Sequence, residues 1–135
     1  MADATVMIVD DDVEIRNTVG LLLKKADYHV IQAVDGREAI ALLSAAPEGI
    51  STILVDLQMP NVNGVEVIRH LKALYPTVPF IVMTANPDFL LTEVLAKDGV
   101  CDYLIKPFPK EKLLESVRVA VRLHQLRKDQ SPTGK

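Results

Sequence analysis

Apolar and β-branched residues recur along the chain in short runs, at residues 6–9, 30–34, 52–55, 80–83 and 103–105. Between the runs the apolar period changes from continuous to helical. Ile15, Val19, Leu22 and Ala26 fall on one helical face, and so do Ala39, Leu42, Leu43 and Ala46. Val67, Ile68, Leu71 and Leu74 form a third such face, Leu91, Val94 and Leu95 a fourth, and a last helix is predicted over 110–126. Strands and helices that alternate in this way predict a parallel sheet covered by helices on both sides, with right-handed crossovers.

A strand buried on both faces reads as an unbroken apolar run, whereas an edge strand carries polar positions. The first, third and fourth runs are of the buried kind. The second includes His29 and Gln32, and the fifth stops at Pro107, which lacks a ladder donor, so these two are the predicted edges. A doubly wound five-stranded α/β sheet of order 2-1-3-4-5, the flavodoxin-like (βα)5 arrangement, satisfies both conditions. Its topological switch point lies between strands one and three, where ligands bind at the carboxyl ends. Local chemistry sets the boundaries: Asp12 can cap the first helix, and Asn86-Pro87 reads as a helix start. Asp35-Gly36 and Pro47-Glu48-Gly49 read as turns. Residues 1–127 are expected to form one domain, and 128–135, which lack periodicity, a flexible tail or linker stub.

Composition narrows the function. The chain has 135 residues, 49% of them hydrophobic, enough for one core. A formal charge of −3 gives no support for direct nucleic-acid binding. The single cysteine, Cys101, cannot form an internal disulfide and reads as a small loop or core residue, and the N-terminus does not resemble a secretory signal. A cytoplasmic protein is expected, and the apolar runs are too short for membrane insertion.

The predicted topology gathers Asp10, Asp11 and Asp12 from the end of strand one and Asp56 from the end of strand three at one rim of the sheet. Clustered carboxylates repel unless a cation joins them, and a hard divalent ion with oxygen ligands, Mg²⁺ or Mn²⁺, suits few carboxylates completed by water. Thr84 and Lys106 end strands four and five and add a hydroxyl and a cation there. Singly, each has an ordinary explanation as a helix cap, a turn residue or a solvated edge lysine. Jointly, four of five strands deliver a group compatible with a phosphoryl oxygen.

These residues carry a family resemblance over roughly residues 4 to 125. Ile8-Val9-Asp10-Asp11, Leu54-Val55-Asp56-Leu57-Gln58-Met59-Pro60 with Gly64, Val82-Met83-Thr84-Ala85, and Asp102-Tyr103-Leu104-Ile105-Lys106-Pro107-Phe108 resemble the motifs of response regulator receiver domains in two-component signalling. The intervals from Asp10 to Asp56, Thr84 and Lys106 match that family as well. The resemblance implies that Asp56 is the phosphoacceptor, taking its group from a sensor histidine kinase or a histidine phosphotransfer protein. It implies a metal held by Asp10, Asp11, Asp56 and the backbone carbonyl of Gln58, with Lys106 paired to a carboxylate or phosphoryl oxygen and Thr84 bonded to the phosphate. Tyr103 resembles the family's aromatic switch, though an aromatic on a sheet edge with a hydrated hydroxyl would also fit. Gln58 and Asn86 occupy the positions that tune phosphoryl lifetime in that family, and both are uncharged. The signalling surface implied is that of the fourth helix, fifth strand and fifth helix, and the chain would be a switch domain rather than an enzyme with a separate substrate.

Other readings fit less well. Aspartyl-phosphate enzymes of the haloacid dehalogenase type need an acid two residues after the nucleophile, where this chain has Gln58. None of the six glycines forms the phosphate-binding loop of a flavodoxin or dinucleotide site. A pseudo-receiver, acting as a phosphorylation-independent interaction module, is the remaining alternative. In the last helix Leu113, Val117, Ala120 and Val121 suffice for docking on the sheet. Val119, Leu123 and Leu126 form a second stripe, a candidate interface for a homodimer or an output domain, or three incidental exposed side chains.

Overall fold

In the computed structural model, residues 4–45, 49–59, 62–86 and 100–129 are described. Five strands form one parallel sheet: β1 (Thr5–Val9), β2 (His29–Ala33), β3 (Ile50–Asp56), β4 (Phe80–Thr84) and β5 (Val100–Ile105). Their spatial order is β2-β1-β3-β4-β5, the order expected, with β2 and β5 at the edges. Gln58–Met59 and Val62–Asn63 form a separate two-residue antiparallel ribbon after β3. The helices are α1 (Val13–Lys25), α2 (Gly36–Ala45), α3 (Gly64–Leu74) and α4 (Lys110–Asp129).

Alternation along the strands divides the core in two, because successive side chains of a strand point to opposite faces. Val6, Ile8, Leu54, Ile81 and Met83 meet Val19 and Leu23 of α1 and Leu113, Val117 and Ala120 of α4. Met7, Val9, Ile53, Val55, Phe80 and Val82 meet Ala39 and Leu43 of α2 and Val67, Ile68 and Leu71 of α3. β1, β3 and β4 are therefore covered on both sides, which is why residues 6–9, 53–55 and 80–83 are apolar without a break, the buried Thr52 being satisfied by donating to the Pro79 carbonyl at 2.9 Å.

Asp12 caps α1 as expected, its carboxylate accepting from the backbone N–H of Glu14 at 2.9 Å and of Ile15 at 3.4 Å. The turn expected at Asp35-Gly36 is instead the start of α2. Asp35 Oδ1 accepts from the Glu38 N–H at 2.9 Å, while Glu38 Oε1 accepts from the Val34 N–H at 2.7 Å, a reciprocal pair that satisfies two otherwise unpaired donors. Glycine at residue 36 serves close packing, since a Cβ there would lie 2.6 Å from Cγ2 of Val67.

Leu74 departs from the apolar face predicted for α3: it is the last residue of that helix, beyond the cover of the sheet, and is 50% exposed. α4 runs past both Leu126 and the expected start of the tail, so Lys128 and Asp129 are helical. Arg127 and Lys128 in its last turn oppose the negative end of the helix dipole and favour that extension. The helix expected around Leu91 to Leu95, the helix start at Pro87, Ala46, the Pro47-Glu48 part of a turn and tail residues 130–135 lie outside the described residues. No described helix is long and apolar enough to cross a membrane.

Candidate functional site

The carboxyl ends of β1 and β3 bring Asp10, Asp11 and Asp56 together, each with an oxygen within 4.8 Å of the others. Asp10 is fully buried and Asp56 is 4% exposed, whereas Asp11 faces solvent. All the donors are oxygens and one flank is open to water, a set that fits a hard divalent cation.

Backbone contacts fix this geometry. The Asp10 N–H donates to the carbonyl of Ala33 at 3.1 Å, and the Asp12 N–H donates to Asp10 Oδ1 at 2.9 Å. Arg16, from the first turns of α1, donates through Nη1 to the Asp10 carbonyl at 2.7 Å and through Nε to Gln32 Oε1 at 3.1 Å. Arg16 is a positioning residue that sequence reasoning missed. Its only signal is a cation four residues after a capping aspartate, and surface helices carry such residues commonly.

Lys106 closes the cluster from β5. Its Nζ lies 2.9 Å from Asp10 Oδ2 and 3.3 Å from Asp56 Oδ2, and its side chain is 16% exposed. Burial pulls its pKa down, but the hydrogen bond and charge of Asp10, then those of Asp56, outweigh burial and hold the ammonium above the ordinary lysine value. Its backbone is fixed by donation from the Lys106 N–H to the Thr84 carbonyl at 2.7 Å. The peptide between Lys106 and Pro107 is cis.

Thr84 ends β4 at the same rim and is fully buried. Its hydroxyl donates to the Asn86 carbonyl at 3.0 Å and accepts from the Asn86 N–H at 3.1 Å, so the two residues form one local turn. Gln58 immediately follows Leu57 and pairs with Asn63 in the short ribbon. Tyr103 stands apart from the carboxylates: it is 44% exposed on β5, with Ile105 on the same side and Leu104 buried between them. Of the second stripe on α4, Val119 and Leu126 are exposed and Leu123 is half-buried. Burial, then the charge of Asp102, push the Cys101 thiol up to about 11, in keeping with a half-buried packing residue.

A model of the response regulator receiver domain matches residues 6–118. The chain is a receiver domain of the response regulator family. The receiver is 36% identical over 118 residues to the response regulator MprA of Mycolicibacterium vanbaalenii, covering 87% of this chain and 50% of that protein. It is 31% identical over 128 residues to the transcriptional regulatory protein CpxR of Klebsiella pneumoniae, covering 95% of this chain and 53% of the relative. The receiver thus spans about half the length of these two regulators. Among solved structures, the chemotaxis protein CheY4 of Vibrio cholerae superposes with a TM-score of 0.81 at 31% identity, over 88% of this chain and 99% of that one.

The acidic cluster yields a test of its own. Like charges this close repel by about 3 kcal/mol per pair at an effective dielectric near 20, less for an exposed group such as Asp11. Asp11→Asn is therefore expected to weaken Mg²⁺ binding at least tenfold yet melt no lower than the parent in metal-free buffer. Calorimetric melting with and without MgCl₂ reads both, and a large metal-free drop would make Asp11 a structural anchor instead.

Proposed function

We propose that this receiver accepts a phosphoryl group on Asp56 from a phosphohistidine of a sensor kinase or phosphotransfer protein and relays the change to the surface around Tyr103. The observation that carries the proposal is the convergence of Asp56, Asp10 and Lys106, with Lys106 Nζ bridging the two carboxylates. A carboxylate oxygen of Asp56 forms the new O–P bond as the N–P bond of the donor breaks, and the imidazole leaves with that electron pair. Lys106 is placed to turn from a carboxylate to a phosphoryl oxygen, and Asp10 holds it within reach. Asp10, Asp11 and Asp56, with the backbone carbonyl of Gln58, would hold Mg²⁺ or Mn²⁺, which would supply further neutralisation of phosphoryl oxygen charge.

Beside Lys106, a cleft of about 480 Å³ between α1 and the segment after β5 is lined by Ile15, Val19, Leu22, Pro107 and Phe108. This apolar ground next to the acceptor suits a docking helix of the donor protein. Gln58 and Asn86, at the positions that tune phosphoryl lifetime in this family, offer no carboxylate to orient a hydrolytic water. The phosphoacceptor unit is assigned to residues 1–129, since α4 continues through Asp129. The surface stripe of Val119, Leu123 and Leu126 is assigned to a second copy or an output segment.

Relay requires two states that the phosphoryl group binds unequally. Thr84 leaves its turn with Asn86 to bond the phosphate, and Tyr103 moves inward behind it. Amide NMR of the chain treated with phosphoramidate and Mg²⁺ tests this: Thr84→Ala should still be phosphorylated but should show little shift around Tyr103. Shifts as large as in the parent would remove Thr84 from the relay.

A further inference from the structure

Asp10 is held at every polar atom. Its N–H donates to the Ala33 carbonyl at 3.1 Å, and its Oδ1 accepts from the Asp12 N–H and its Oδ2 from Lys106, both at 2.9 Å. Its carbonyl, the remaining group, accepts from Arg16 Nη1 at 2.7 Å. Asp11 is the opposite case: it is exposed, and its carboxylate has no hydrogen bond or ion pair among the described residues. The two residues share one planar peptide, of which the Asp10 carbonyl is the oxygen end, so fixing that oxygen also fixes the Asp11 N and Cα. Asp11 is left only its own side-chain rotations.

Arg16 is itself braced. It is half-buried, its Nε donates to Gln32 Oε1 at 3.1 Å, and Gln32 Nε2 donates in turn to Asn17 Oδ1 at 3.5 Å. α1 rests on this carboxamide, since a Cβ added at Gly20, one turn after Arg16, would meet Gln32 Nε2 at 3.5 Å. A planar guanidinium with Nη1 on the residue after β1 and Nε on β2 has little freedom to turn. A lysine, with one nitrogen on a flexible stem, cannot hold both acceptors in that fork.

An arginine at a strand end often does no more than satisfy a carbonyl or balance nearby acids. As a charge alone, Arg16 would oppose any divalent cation at the carboxylates, and its effect on Mg²⁺ and Ca²⁺ would be the same factor. As a clamp it would separate the two ions. Mg²⁺ demands near-ideal octahedral ligands at about 2.0–2.1 Å, whereas Ca²⁺ accepts about six to eight oxygens in flexible geometry, so loosening one ligand harms the smaller ion more. Hydrogen bonds just outside a ligand set commonly change metal affinity by about 10- to 100-fold.

We propose that Arg16, braced by Gln32, is a positioning residue that orients the Asp10–Asp11 peptide and so raises the affinity of the carboxylate cluster for Mg²⁺ relative to Ca²⁺. The proposal rests on the reading of that cluster as a metal site, and its test needs no phosphorylation. Amide NMR titrations of the chain with MgCl₂ and with CaCl₂ at matched ionic strength, followed at Asp11, Asp12 and Leu57, measure both affinities. Arg16→Lys, which keeps the charge, should weaken Mg²⁺ binding about tenfold and Ca²⁺ binding by less than about threefold. Gln32→Leu, which leaves Arg16 in place, should move the ratio in the same direction by about threefold and add nothing in the Arg16→Lys background. It carries the test alone if the Arg16 variant does not fold. If the parent binds Mg²⁺ and the folded variants keep its affinity, bind it more tightly, or change both ions by the same factor, the clamp is overturned and the metal site stands. A parent that binds neither ion would overturn both.

Discussion

Lys106→Met is expected to slow phosphorylation of Asp56 by a small-molecule donor by about 10²- to 10³-fold. The ammonium lies 2.9 Å and 3.3 Å from the two buried aspartates, with its side chain largely shielded from water. Loss of one preorganised donor aimed at developing oxygen charge in such a site costs about 3–4 kcal/mol of transition-state stabilisation. Methionine keeps the unbranched apolar stem that packs against the rim, so the change isolates the charge. Time-resolved intact-mass measurement at fixed Mg²⁺ reads the rate, and a variant within threefold of the parent would remove Lys106 from the transfer step.

Phe80→Ala is expected to destabilise the fold by about 3–5 kcal/mol, because it empties a fully buried aromatic site in a core that cannot wholly collapse around the gap. For a domain of this size that lowers the melting temperature by on the order of 10–20 °C. Phe80 begins β4 and Thr84 ends it, so cavity and phosphoryl rim are about 13 Å apart along the strand. Phosphorylation of the folded fraction should therefore be unchanged at low temperature. Thermal denaturation followed by circular dichroism, paired with the intact-mass assay at 10 °C, separates the two effects. A shift of only a few degrees would mean that the α2 and α3 layer repacks freely.

The sheet was legible in the sequence because burial on two faces leaves unbroken apolar runs in the middle of β1, β3 and β4, while His29 and Gln32 remain on β2. The same logic placed Asp10, Asp11 and Asp56 together, since parallel strands present their carboxyl ends at one rim. What stayed hidden depends on side chains meeting across elements. Arg16 reaches the Asp10 carbonyl only because α1 folds back over β1, and no periodicity announces that. Ser116 is buried on α4 because it hydrogen-bonds to Asp102 of β5, a pairing between residues that look like ordinary surface positions. Leu74 continues the helical pattern of α3 but outruns the sheet beneath it, and His124 is polar yet buried where α4 meets the α3–β4 connection. Periodicity reports which way a side chain points along its own helix, but not where the neighbouring layer ends.

Intact-mass measurement of the chain incubated with phosphoramidate decides whether Asp56 is a metal-dependent phosphoacceptor. One added phosphate should appear with Mg²⁺, and none with EDTA or in Asp56→Asn. Equal labelling of Asp56→Asn would move the acceptor to another residue, and full labelling in EDTA would remove the metal from the reaction.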